Sequence, residues 1–314
     1  MRNIRQSIKP YILPLAIILG LLFHTFCASI AFVTPYLVFT ILLLTFSAVP
    51  IKSLRLSWLY FWLLLFQLGL SIGCYYLLHS FHVDPILAEG VLIGVICPVA
   101  ASVAVISCMM GANRIMVTTY TIVGNLVIAV AAPLYFSLIG VHPDLSFTSS
   151  FLTILRKIGP TIGLPFFIIL FLQLTFPKAN QVLARHSGLS FYLWACALLL
   201  NLGQTIDFIF LHGQGHWHII AWLGVASLLF CILQFGFGKW LGHFYGDTMA
   251  GGQLLGQKNS AMGIWMANTF LHPLSSVFMA FYSVFQNVFN SWQLWHYEHH
   301  KQRLSNNNNP TPTS

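Results

Sequence analysis

About ten stretches of some twenty predominantly apolar residues follow one another along this chain, at 11–32, 34–50, 56–79, 86–110, 115–140, 155–176, 188–210, 217–241, 247–270 and 273–297. Each is close to the length a helix needs to cross the hydrocarbon of a bilayer, and Pro, Gly, His or charged residues separate them. Only 6% of the 314 residues are charged and 57% are hydrophobic, whereas soluble domains carry about 25% charged residues. The chain is therefore expected to be an all-α polytopic membrane protein, with the lipid bilayer as its first partner. Glycine and proline within continuous apolar runs exclude a porin-type barrel, whose strands alternate at period two. Arg2, Arg5 and Lys9 ahead of the first run resemble a signal peptide in outline, but that run is long enough to span and reads as a retained helix.

The basic balance, 14 Lys and Arg against 6 Asp and Glu, is read through its placement. With the amino terminus inside, Arg2, Arg5, Lys9, Lys52, Arg55, Arg114, Lys178, Arg185, Lys239, Lys301 and Arg303 fall on the cytoplasmic side, and Arg156 and Lys157 opposite. Positive residues stay cytoplasmic, so both termini are placed there, in an inner (plasma) membrane. Asp84, Glu89, Asp144 and Asp207 fall outside, Asp247 and Glu298 inside. The charges thus serve loops, and no nucleic-acid partner is expected. The six cysteines lie in apolar runs without paired spacing and read as small hydrophobes. The tail 298–314, rich in Asn, Pro and Thr, is expected to be disordered.

One cation escapes this assignment. Lys258, in Gly256-Gln257-Lys258-Asn259-Ser260, stands at bilayer depth, where a charge costs several kcal/mol unless a polar cavity and partners receive it. Its segment also holds Gly251-Gly252, and the fourth segment holds Cys97-Pro98. Proline removes an amide hydrogen and glycine tolerates unwound dihedrals, so both segments are expected to break. With two halves of five helices, 11–140 and 155–297, the breaks fall in the fourth helix of each half. An odd number of spans inverts the second half relative to the first, and matched broken helices in inverted repeats point to a binding site near the midplane. Taken alone, each proline or glycine marks a kink.

Cys97-Pro98-Val99-Ala100-Ala101-Ser102, Met110-Gly111-Ala112-Asn113 and Gly256-Gln257-Lys258-Asn259-Ser260-Ala261, with Gly238-Lys239 and Gly242-His243 ahead of the ninth segment, resemble the paired signatures of the bile acid:sodium symporter family. The resemblance implies two inverted five-helix repeats, a panel of helices 1, 2, 6 and 7, and a core of helices 3, 4, 5, 8, 9 and 10 in which broken helices 4 and 9 cross. It implies alternating-access transport of organic anions such as bile acids, steroid sulfates or small carboxylates. It also implies that Pro98, Gln257 and Asn259 belong to the site.

The chain departs from that family at its sodium ligands. Val103 and Ala104 stand where sodium-coupled members carry a serine and an asparagine, Leu254 where they carry a shared glutamate, and Lys258 where they carry a glutamine. A fixed ammonium then takes the place of a mobile cation, and the expected activity is sodium-independent anion transport. A compact point charge with three donors suits that role. Expected partners of Lys258 are carbonyls of the fourth segment and the oxygens of Gln67, Ser102, Thr121 and Asn125; Thr121 and Asn125, four apart, share a helix face. Two alternatives stay open: a proton-coupled transporter in which Lys258 titrates during the cycle, and a non-transporting receptor of the same fold. An enzyme is not expected, nor a cofactor or metal. His296, His299 and His300 resemble a desaturase box, but His212, His216 and His218 fall on the opposite side of the membrane.

Overall fold

The computed structural model describes residues 15, 18–100, 103–139, 146–212 and 214–308; among them there is no strand, and one isolated bridge joins two non-helical segments. The helices are α1 (His24–Ser29), α2 (Thr34–Ser47), α3 (Trp58–Ser80), α4 (Pro85–Ile96), α5 (Val103–Met109), α6 (Arg114–Leu138) and α7 (Phe147–Thr175). They continue with α8 (Pro177–Arg185), α9 (Leu189–His212), α10 (Trp217–Phe244), α11 (Thr248–Gly256), α12 (Ser260–Phe270) and α13 (Ser276–Asn308). Among the described residues, α3, α6 and α10 are long and apolar enough to cross a membrane. The described residues are thus almost entirely helical, and their long apolar helices fit a membrane-associated protein.

Caps set the helix starts. Ser57, Asp84, Asn113, Ser146 and Asp247 each accept a backbone N–H of the first turn that follows, and Pro85 and Pro177 open their helices. The first segment is not one helix among its described residues: turns at Phe23 and Ile30 bound α1, and the chain enters α2 through a 3-10 turn with Pro35 in the first turn of α2. Residues 1–14, 16 and 17, including Arg2, Arg5 and Lys9, lie outside the described residues. The polar α8, bearing Lys178, Asn180, Gln181 and Arg185, was not expected between two apolar segments.

A second correction concerns the tail. Helix α13 runs to Asn308 rather than ending near 297, because Glu298, Lys301, Gln302, Arg303 and Leu304 are good helix formers. Residues 309–314 of the expected tail lie outside the described residues.

The order helix, half-helix, break, half-helix, helix occurs twice, as α3–α4–α5–α6 and as α10–α11–α12–α13. A carboxylate from one set holds the outer turn of the other: Asp247 Oδ2 accepts the Asn113 amide at 2.8 Å, and Glu89 Oε2 accepts the His272 amide at 2.7 Å. Helix α9 packs on α1 and α2, and α7 packs on α2 and α6. Between helices in lipid, close backbone approach replaces hydrophobic burial as the source of attraction. Glycine supplies it between α10 and α11: a methyl group at Gly251 would collide with the Gly238 carbonyl and the Gly242 Cα. Gly111, at φ +83, turns the chain from α5 into α6, a left-handed conformation that favours glycine.

Candidate functional site

The two breaks meet. Pro98 cannot donate to the helix and pushes Cys97 into extended dihedrals (φ −47, ψ 133), which ends α4 at Ile96. Helix α11 ends at Gly256, and Gln257 is likewise extended (φ −92, ψ 108). Val99 and Lys258 then face each other in an antiparallel bridge. The Ala100 amide donates to the Gln257 carbonyl at 3.1 Å, and the Asn259 amide to the Pro98 carbonyl at 2.8 Å. Asn259 also caps α12, its Oδ1 accepting the Met262 amide at 3.3 Å, and its carbonyl accepts the Cys97 thiol at 3.0 Å.

Unwinding exposes helix-end carbonyls and amides that must find partners. At the end of α4, Gln67 Nε2 donates to the carbonyls of Ile96 (3.1 Å) and Cys97 (3.0 Å), and Lys258 Nζ donates to the Val95 carbonyl at 3.0 Å. At the end of α11, the Tyr282 hydroxyl donates to the Gly256 carbonyl at 2.7 Å. Gln286 of α13 clamps the other edge of the bridge: its Oε1 accepts the Lys258 amide at 2.7 Å and its Nε2 donates to the Lys258 carbonyl at 3.0 Å.

Lys258 is 1% exposed, and Val95 is the one acceptor its ammonium reaches among the described residues. That carbonyl belongs to the last turn of α4, where the helix dipole places partial negative charge and favours a cation. The one close approach of a basic side chain to a carboxylate among the described residues, His24 Nδ1 to Asp207 Oδ1 at 2.9 Å, lies elsewhere. The Lys258 charge therefore rests on peptide dipoles instead of a carboxylate.

Of the residues singled out in the sequence, Lys258, Gln257, Asn259, Pro98 and Gln67 come together at the crossing. Asn125 reaches it at the margin, with Nδ2 3.5 Å from the Val99 carbonyl and 2.6 Å from that of Thr121. Thr121 does not reach Lys258, because its hydroxyl donates to Val117 one turn back in its own helix at 2.8 Å. Gln67 serves the helix-end carbonyls and accepts from the Tyr120 hydroxyl at 3.4 Å, so it is no ligand of the ammonium. Ser102 lies outside the described residues. Gln286 and Tyr282 were missed. Their signal was present: polar residues at 283, 286, 287, 290 and 293 repeat at three- and four-residue spacing inside an apolar segment, and all five are buried. Among the described residues no three His, Cys, Asp or Glu side chains gather in a form that would hold a metal ion.

No protein-family model matches this chain, and no curated protein matches it in sequence.

Proposed function

We propose that this protein is a secondary carrier of organic anions, of the bile-acid, steroid-sulfate or small-carboxylate kind, that works without sodium. In this reading ten spans form two inverted five-helix repeats, 11–140 and 155–297, with both termini in the cytoplasm of a cell bounded by an inner (plasma) membrane. The antiparallel meeting of the two breaks supports the inversion, since inverted halves bring their broken helices together head to head. Helices α1, α2, α7 and α9 then make a panel, and α3 to α6 with α10 to α13 make a core that moves against it. The likeness to bile acid:sodium symporters enters as a model for this motion.

The observation that carries the reading is the ammonium of Lys258, buried at the crossing and held by a helix-end carbonyl with no acid beside it among the described residues. A sodium ion in such a place needs several oxygen ligands; a tethered cation needs none to arrive from solution. The anion would be drawn to a charge already in position, and the carrier would cycle on substrate alone. Uptake into proteoliposomes is expected to persist when potassium or choline replaces sodium. Strict dependence on sodium overturns the reading.

A second reading has one feature in its favour: among the described residues Lys258 is held by a neutral carbonyl, with no carboxylate beside it to retain its proton. Lys258 would then give up and regain a proton in each cycle. Uptake would be driven by a pH gradient and collapse with a protonophore, whereas the first reading expects neither.

A further inference from the structure

Where α3 ends and α4 and α10 begin, a cavity of about 410 Å³ opens between the three helices. Small-molecule sites occupy about 300–1,000 Å³, with mostly apolar walls and a few polar groups that fix orientation. This cavity has that make-up. Leu78, Val83, Leu87 and Ile219 form its walls, and Asp84, His218 and Trp222 complete the lining. The last three are exposed, so the polar part of the cavity is its open mouth.

Charge decides what such a cavity would hold. Asp84 Oδ1 accepts the Ile86 amide at 2.9 Å and so caps α4, but an ionised carboxylate has about four lone-pair sites, and the cap takes up one. No lysine or arginine pairs with Asp84 among the described residues. The lining elements could not supply one, because residues 56–113 and 186–238 contain neither Lys nor Arg while they hold Asp84, Glu89 and Asp207. His218 in its neutral form adds a second acceptor through one ring nitrogen. Trp222, 61% exposed, brings indole, the aromatic ring that attracts cations best. An anion would meet an uncompensated carboxylate here, and a wholly apolar guest would leave both acceptors unused.

We infer that this cavity binds a small primary amine with an apolar body, its ammonium donating to Asp84 and His218 beside Trp222 and its hydrocarbon lying on Leu78, Val83, Leu87 and Ile219. The inference needs only the cavity and its charge. It does not rest on anion transport at Lys258, so either can fail alone.

The probe is phenylbutylamine, compared with phenylbutanol and phenylbutyrate on the same skeleton. Calorimetric titration of the full chain in phosphatidylcholine nanodiscs, with empty nanodiscs as the blank, should show saturable binding of the amine about fivefold tighter than the alcohol, the scale of an exposed ion pair. The carboxylate should bind weakest. Absence of saturable binding, or equal affinity for amine and alcohol, overturns the inference. Asp84→Asn keeps the cap on α4, because an asparagine oxygen accepts the same amide, and should erase the preference for the amine; a preference that survives it sinks the assignment. Trp222→Leu keeps an apolar wall and should weaken the amine about threefold with little change for the alcohol. Equal weakening of both would remove the cation from the role given to Trp222 and count against the site. Phosphatidylethanolamine mixed into the nanodiscs should leave the amine titration unaltered. If it abolishes the titration, the occupant is a lipid amine and the assignment to a dissolved one is wrong.

Discussion

The two breaks at the centre of the molecule do the same thing to the backbone by different chemistry. Residues 97–100 unwind because Pro98 forbids the helix, so this break contributes carbonyls and no charge. Residues 257–259 unwind without a proline, between Gly256 and the capping Asn259, so their shape depends on partners, chiefly Gln286, and they contribute the ammonium. One break is imposed locally and the other is held from outside. The lysine sits on the one whose geometry a neighbouring helix controls.

The largest expected effect is on Lys258→Met. Transport should fall by about a hundredfold or more, while stability in detergent is unchanged or raised, because a buried charge costs several kcal/mol and the replacement leaves a single carbonyl, that of Val95, without its donor. Flux assays and thermal unfolding on the same preparation decide it. A variant that is both stable and fully active removes the ammonium from the mechanism.

Gln286→Leu comes next. It leaves the Lys258 amide without an acceptor and takes one of two donors from the Lys258 carbonyl, which keeps the Ser260 amide at 3.0 Å, and unfolding by denaturant should show a loss of about 2–3 kcal/mol. Gln67→Leu at the proline break should cost less, about 1–2 kcal/mol, since carbonyls bear under-satisfaction better than amides and Pro98 still forbids the helix. If Gln67→Leu is the more damaging, the contrast between an imposed and a held break fails. The smallest effect is Tyr282→Phe, which removes the donor to Gly256 and should cost about 1 kcal/mol.

Much of this was legible in the residues. Pro98 announced the first break, and Lys258 stood out because no loop could claim it. The partner set was less legible. Thr121 shares a helix face with Asn125 and carries the right oxygen, yet a hydroxyl in an apolar helix finds its own carbonyl one turn back, and Thr121 donates to Val117. Gln67 was read as a ligand and proved to be a cap for two carbonyls. Gln286 escaped notice although its stripe on α13 was visible, because a polar stripe says which face is polar and not what it meets. The helix at 298–304 was obscured by the Asn- and Pro-rich residues that follow it.

From the amino-acid order alone came the helical, membrane-bound character, the places where two helices break, and the presence of one cation that lipid cannot accept. These follow from effects that act within a few residues: the missing amide of proline, the freedom of glycine, the length of an apolar run. Tertiary structure alone decided that the breaks pair antiparallel, that the ammonium rests on Val95, 163 positions away, and that Gln286 grips the backbone of Lys258. A hydrogen bond needs its partners within about 3 Å and in line, and which distant groups come that close is settled only when the helices pack.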